Sequence, residues 1–300
     1  MLDDWRDGIG PSDGHGGRAD SGTGSGDTAA TKAGPNAGPE MGGRNYPLVL
    51  VDGRPPRDPQ TFEVRRGERV RLRVMNIAAD TGFRFAVGGH RLTVTHTDGM
   101  PVQPAVVYAL RLGMGERYDV VVEAGNPGAW QIAVVPEAKR GFGRAVLRYS
   151  DSGRSAVPPD HARPTELDGR LADYADLGYA GEHTFPRRSP DRVHSLTLTG
   201  NEINGQSYPD TEPLPVAAGE WVRVTMRNDS SMWHPMHLHG HHFRVVTRGG
   251  NGPLKDTMTV PGGGTATFDF LGNNPGEWMF HCHNHYHMDN GMVRIVSYQD

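Results

Sequence analysis

Nine of the chain's 15 histidines lie between His234 and His287, and its single cysteine, Cys282, sits among them. They occupy two segments, Trp233-His234-Pro235-Met236-His237-Leu238-His239-Gly240-His241 and His281-Cys282-His283-Asn284-His285-Tyr286-His287-Met288-Asp289-Asn290-Gly291-Met292. A lone thiol is a core residue, a nucleophile or a metal ligand, and neighbouring imidazoles favour the ligand. Side chains alternate faces along a strand, so His281 and His283 point one way and Cys282 the other. His237 and His239 likewise share a face. Two adjacent strands would therefore present four imidazoles on one side and a thiolate on the opposite side. On its own side Cys282 has His287 and Met292, five and ten residues later, and His234, which precedes the His237–His239 run. One thiolate, two imidazoles and a thioether form the donor set of electron-transfer copper, whereas zinc prefers four ligands of equal weight. Competing readings are a buried structural Cys282 and Met292 as plain core packing, since methionine often fills gaps. His241, His242 and His285 are read as surface histidines, and Met236 and Met288 as packing.

Short strands must hold these segments. From Tyr46 onward, Val70-Leu72-Val74, Phe83-Phe85-Val87, Tyr118-Val120-Val122 and Trp130-Ile132-Val134 place alternate apolar residues on one face, between Gly, Pro and Asp clusters. This is the pattern of an all-β sandwich or barrel. Strands resume at His194–Leu198 and run to Ile295. The two β-regions repeat one another. Gly53 and Gly67 are spaced like Gly205 and Gly219. Gly67-Glu68 leads to Asn76 as Gly219-Glu220 leads to Asn228. Asn126-Pro127-Gly128-Ala129-Trp130 matches Asn274-Pro275-Gly276-Glu277-Trp278. After Trp130 come Gln131-Ile132-Ala133-Val134-Val135, and after Trp278 come Met279-Phe280-His281-Cys282-His283. One copy is a scaffold and the other carries the chemistry.

The chain divides into a Gly-rich segment 1–44, a β-domain 45–151, a Pro-rich polar linker 152–190 with a short helical stretch around Leu171–Leu177, and a second β-domain 191–300. Residues 7–43 hold 12 glycines and only Ile9 and Met41 as large apolar side chains, so they read as a disordered linker. A net charge of −4 gives no basic footprint for nucleic acid. Mean hydropathy is −0.57, and no apolar run is long enough to span a membrane. The start, Met1-Leu2-Asp3-Asp4-Trp5, lacks the basic and apolar regions of a signal peptide.

With HPxHLHGH at His234–His241 and HCHxxxHxxxxM at His281–Met292, the sequence resembles the multicopper oxidase family, of the laccase and bilirubin-oxidase type. The resemblance runs through nearly the whole chain from Tyr46. It implies two cupredoxin-like Greek-key β-sandwich domains. It implies a type-1 copper on His234, Cys282, His287 and Met292. His237 would serve a type-2 copper, and His239, His281 and His283 a type-3 pair, in a cluster that reduces dioxygen to water. Electrons taken from a small-molecule or metal-ion donor at the type-1 copper would pass from Cys282 to His281 and His283, the residues expected to carry catalysis. Phenols, aromatic amines and cuprous ion all qualify as donors, although no dense methionine run marks a dedicated cuprous oxidase.

The family's cluster takes eight histidines, half of them from an N-terminal cupredoxin domain with two His-x-His motifs. His15, His90, His96, His161, His183 and His194 form no such motif. Tyr46–Ser150 resembles the ligand-free middle domain of three-domain members, and Leu2–Trp5 the last strand of a preceding domain. The chain is thus expected to encode half of the cluster, with a cupredoxin domain or another subunit supplying the rest. The alternatives are a type-1 copper electron carrier and a copper-binding fragment without turnover. The resemblance also implies an extracytoplasmic location, secreted or periplasmic.

Overall fold

The computed structural model describes residues 2–5, 45–153, 155–181, 188–250 and 252–299. The expected disordered stretch 7–43 lies outside them, as do His15 and His183. The described residues form two β-sandwiches joined by a well-packed strap.

In the first sandwich, one sheet runs Thr61–Val64, Gly143–Tyr149, Ala129–Pro136, Phe83–Val87, Ala109–Leu112. The facing sheet runs Arg69–Met75, Arg117–Glu123, Leu92–Thr97, Met100–Val107. In the second, one sheet runs Leu214–Ala217, Val293–Gln299, Glu277–Cys282, His234–Leu238, Thr257–Val260. Its partner runs Glu202–Ile203, Arg192–Thr199, Trp221–Asn228, Thr265–Leu271, Phe243–Val245, Leu254–Lys255. The two site-side sheets have the same strand order and the same single parallel edge. Thr61–Val64 lies parallel to Gly143–Tyr149, and Leu214–Ala217 parallel to Val293–Gln299. The alternation expected from sequence is what buries the cores: Phe83, Phe85 and Val87 in one, Val222, Val224 and Met226 in the other.

A shared corner confirms the duplication side chain by side chain. In the first sandwich, His90 Nε2 meets Tyr149 Oη at 2.7 Å, Trp130 Nε1 donates to Asn126 O at 2.7 Å, and Asn126 Nδ2 donates to Gly89 O at 3.2 Å. In the second, the matching contacts are His241 with Tyr298 at 2.7 Å, Trp278 with Asn274 O at 2.8 Å, and Asn274 with Gly240 O at 2.9 Å. Gly89 and Gly240 both have φ +68, and a Cβ on either would strike the indole of Trp130 or Trp278 at 2.8 and 2.5 Å. Only glycine combines that backbone with that approach.

The stretch 155–181 between the sandwiches is held by a few apolar anchors. It has two 3-10 turns, Thr165–Asp168 and Tyr174–Asp176, where a short helical stretch was expected around Leu171–Leu177. Leu167 packs on Ala86, Ala109, Ala133 and Val135, and Leu177 enters the first core.

The seam between the sandwiches is polar at its centre. Lys255 has no exposed surface, and its Nζ lies 2.6 Å from Thr97 Oγ1, 3.1 Å from Asp98 and 3.3 Å from Glu116. A buried ammonium of this kind is tolerable only because every donor finds a partner. Tyr174 reaches the same knot, donating to Glu116 at 2.6 Å.

Candidate metal centre

Cys282 ends the strand Glu277–Cys282 and is fully buried. Directly opposite it on His234–Leu238 stands Met236, and His281 stands opposite His237. That register puts His234 two residues along from Met236, on the Cys282 side. His287 arrives from the short helix His285–Asp289, capped by the Asn284 side chain. Cys282 Sγ lies 3.7 Å from His234 Nδ1 and 3.6 Å from His287 Nδ1, and the two nitrogens are 3.1 Å apart. The point equidistant from these atoms lies about 2 Å from each, a metal–ligand bond length. On the far side of His234, Nε2 is 3.0 Å from Ser230 Oγ, whose own hydrogen goes to Asn228 Oδ1 at 2.8 Å, so Nε2 donates and Nδ1 keeps its lone pair.

Electrostatics agree with a metal site. Burial, aided by the neighbouring His287, lowers the pKa of His234 to about 3, and burial also lowers that of His287. Both imidazoles are therefore neutral ligands at pH 7. Burial pushes the Cys282 thiol up to about 12, opposed by the Asn284 backbone N–H, so a cation must displace its proton. Met292 is fully buried in the same core cluster. Its carbonyl accepts from Cys282 N–H at 3.1 Å, and its own N–H donates to His287 O at 2.9 Å.

The second group lies on the opposite face. Ligand atoms of His237, His239 and His281 all lie within 4.8 Å of one another, and His239 Nε2 is 3.1 Å from His281 Nε2. The His283 ring is 5.9 Å from both His237 and His281. His237 Nδ1 is 2.8 Å from Asp256 O, and His281 Nδ1 is 2.9 Å from Cys282 O. Each of these two rings thus turns Nε2 away from its backbone partner. Burial, with the other imidazoles adding to it, lowers His281 to about 4.

Two multicopper oxidase family models match the chain, one over residues 23–152 and the other over 184–300. The chain belongs to the multicopper oxidase family. It is 37% identical over 316 residues to multicopper oxidase MmcO of Mycobacterium tuberculosis, covering 99% of this chain and 61% of that protein. It is 29% identical to dihydrogeodin oxidase of Aspergillus terreus, over 78% of this chain and 51% of the other. The chain therefore spans roughly half to three-fifths of the length of these relatives. Among solved structures, Fet3p, a multicopper oxidase that functions in iron import, superposes with a TM-score of 0.71 at 20% identity. That likeness covers 86% of this chain and 60% of Fet3p, and it bears on the fold, a pair of cupredoxin sandwiches.

Multicopper oxidases bind copper, and the residues here suit it. A thiolate with two imidazoles in a trigonal array favours copper, and Met292, whose thioether is a soft donor, is buried in the same core cluster as Cys282. Six of the eight residues expected from sequence converge as two groups, one on each face of the Glu277–Cys282 strand; the His283 ring stands beside the second group, and Met292 is buried in the core cluster that holds Cys282. His241 is not with them: its ring is tied to Tyr298 in the corner it shares with His90. His285 pairs with Asp289 at the surface.

Sequence reasoning missed the residues that hold the ligands from across the seam. Arg117 grips Asp256 through both guanidinium nitrogens at 2.5 and 2.6 Å, directly behind His237. Gly115, at φ +82, lies so close to His283 that a Cβ would come within 2.4 Å of the ring. A cleft of about 440 Å³ opens between these first-sandwich residues and His237 and His283. A larger cavity, about 750 Å³, lies elsewhere in the seam, walled by Tyr174, Arg111 and Trp233, the residue before His234. Arg111 stacks over the Trp233 indole at 5.0 Å.

Proposed function

We propose that this chain carries the type-1 copper site and half of the dioxygen-reducing cluster of a multicopper oxidase. His234, Cys282, His287 and Met292 would hold the type-1 copper. His237 would serve the type-2 copper, and His239, His281 and His283 the type-3 pair. The reading rests above all on the triangle of Cys282, His234 and His287, whose size suits one metal ion. Residues 45–151 then act as the ligand-free domain and 191–300 as the copper domain.

When bound, copper supplies one-electron redox chemistry at the first group and dioxygen reduction at the second. The chain supplies the path between them. Cys282 is the covalent neighbour of both His281 and His283, and its carbonyl also accepts from His281 Nδ1 at 2.9 Å. An electron leaving the thiolate therefore reaches the imidazole cluster through a few bonds of one strand. Four one-electron oxidations of a phenol, aromatic amine or metal ion would balance reduction of dioxygen to two waters. Next to His234, the cavity walled by Trp233 and Tyr174 offers an aromatic-lined berth for an organic donor. The remaining cluster ligands we assign to a further cupredoxin domain, on the same polypeptide or another subunit. No helix among the described residues is long and apolar enough to cross a membrane, and the resemblance supports an extracytoplasmic location.

Copper content measured together with oxygen uptake on a phenolic donor tests this. The chain by itself should hold about one tightly bound copper, the number of complete donor sets it offers, and sustain no turnover. Adding a His-x-His-bearing cupredoxin domain should raise both. Sustained four-electron turnover by the homogeneous chain alone would contradict the half-cluster assignment. A second reading, an electron carrier using only the type-1 copper, would be favoured if the added domain raised neither.

A further inference from the structure

Of the three residues in the Cys282 triangle, two sit on paired strands and are fixed by sheet register. His287 alone hangs on a connection, the run from Cys282 to Met292 that includes the five-residue helix His285–Asp289. What fixes that run comes partly from the other sandwich. Asn284 is fully buried, and its Nδ2 donates to Asp80 Oδ1 at 2.5 Å across the seam. Asp80 is 2% exposed, and its second oxygen takes the Lys139 ammonium at 3.3 Å. Lys139 also reaches Asp80 O at 2.9 Å and Thr81 Oγ1 at 3.2 Å. One residue on, His285 N–H donates to Ala79 O at 2.9 Å.

The chemistry of this contact is directional. A carboxylate paired with a lysine only accepts, so the Asn284 amide must turn its NH₂ toward Asp80. Its oxygen is then forced toward the helix, where it accepts from Tyr286 N at 3.1 Å and His287 N at 3.4 Å. The backbone N–H of the same asparagine is the one that opposes the rise in the Cys282 thiol pKa. Three parts of Asn284 thus touch three things: the sulfur, the helix bearing His287, and the first sandwich.

We propose that Asp80 is a positioning residue for the type-1 copper site, acting through Asn284 to hold His287 at its place in the triangle. The proposal rests on the type-1 reading given above. It makes the ligand-free sandwich a working part of the copper site. Partners behind metal ligands characteristically change metal affinity about 10- to 100-fold when removed.

The test uses the full chain loaded with copper(II) and three variants: Asp80→Asn, Asn284→Ser, and the exchange Asp80→Asn with Asn284→Asp. Serine keeps an oxygen for the helix N-terminus but is too short to reach Asp80, so it isolates the cross-seam bond without deleting the cap. The exchange moves the carboxylate to position 284 and the amide to position 80, restoring a donor–acceptor pair with its polarity reversed. Three quantities are read: the thiolate-to-copper absorption per bound copper, the rate of copper loss to a chelator, and the thermal midpoint of the copper-free protein. Each single change should alter the band and speed copper loss about 10-fold or more, and the exchange should recover most of both. Single variants matching the parent in band and copper retention would overturn the proposal. So would variants that lower the midpoint yet leave the band per bound copper unchanged, because Asp80 would then be merely structural. A parent chain with no thiolate band would instead overturn the type-1 reading, and this proposal with it. If Asp80→Asn does not fold, Asn284→Ser alone decides.

Discussion

The two sandwiches are one frame with two fillings. Aligned on Trp130 and Trp278 and on His90 and His241, Phe83 occupies the place of His234, Ala86 that of His237 and Gly88 that of His239. Ala133, Val134 and Val135 occupy the places of His281, Cys282 and His283. Strand register agrees, since Ala86 opposes Ala133 as His237 opposes His281, and Phe85 opposes Val134 as Met236 opposes Cys282. On the first sandwich the small residues Ala86 and Ala133 leave room for Leu167 to cover the sheet. On the second, the same face carries imidazoles. The frame thus tolerates either apolar packing or imidazoles and a thiol at the same positions, and the shared Asn-Pro-Gly-x-Trp corner sets the strands in both.

The sharpest way to break this comparison is at the paired positions Cys282 and Val134. Cys282→Ser should abolish the thiolate-to-copper band entirely. Val134→Ser should leave the band intact and cost about 1–3 kcal/mol for burying a hydroxyl, read by urea unfolding. A blue Cys282→Ser protein would remove the functional difference between the sandwiches.

Next in size is the seam. Arg117→Ala leaves Asp256, behind His237, without the guanidinium that holds its carboxyl well below the usual range against the opposing cost of burial. Zinc titrated into a Cys282→Ser background, where the thiolate site is broken, should bind the His237–His239–His281 cluster about 10- to 100-fold more weakly after this change. The blue band of the otherwise unaltered chain should not move. Equal zinc affinity would confine the contribution of Arg117 to packing.

His90 and His241 sharpen the comparison from the frame side. Each fills the matching corner of its own sandwich, so His90→Phe and His241→Phe should each cost about 1–3 kcal/mol by leaving a tyrosine O–H without its imidazole acceptor. Neither should lower copper content. A copper loss specific to His241→Phe would make it a ligand and break the equivalence. The smallest expected effect is at Met292. Met292→Leu should keep the blue band and raise the reduction potential, because losing the thioether destabilises copper(II) relative to copper(I). An unchanged potential would leave Met292 as packing.

Much of the site was legible because its histidines and its cysteine sit in two short segments where strand alternation sorts faces by residue number. The same alternation revealed the sandwiches, and conserved turn spacings within the chain revealed their duplication. The twin corner was harder to see. Gly89 precedes Trp130 by a longer interval than Gly240 precedes Trp278, so a search for equal spacings passes over His90 and His241. The seam was not legible at all. Asp80 meets Asn284, and Arg117 meets Asp256, across 204 and 139 residues of sequence, and no local pattern marks such pairs. The strap likewise reads as a polar linker, because its order depends on Leu167, Tyr174 and Leu177 finding surfaces made elsewhere.

The function proposed for this chain requires one copper bound by the Cys282 thiolate and two imidazoles. X-ray absorption at the copper edge, on the chain loaded with one equivalent of copper, tests it most directly. The predicted result is one short copper–sulfur bond and two copper–nitrogen bonds per copper, with the sulfur contribution lost in Cys282→Ser. A first shell of nitrogen and oxygen alone, unchanged by that substitution, would contradict it.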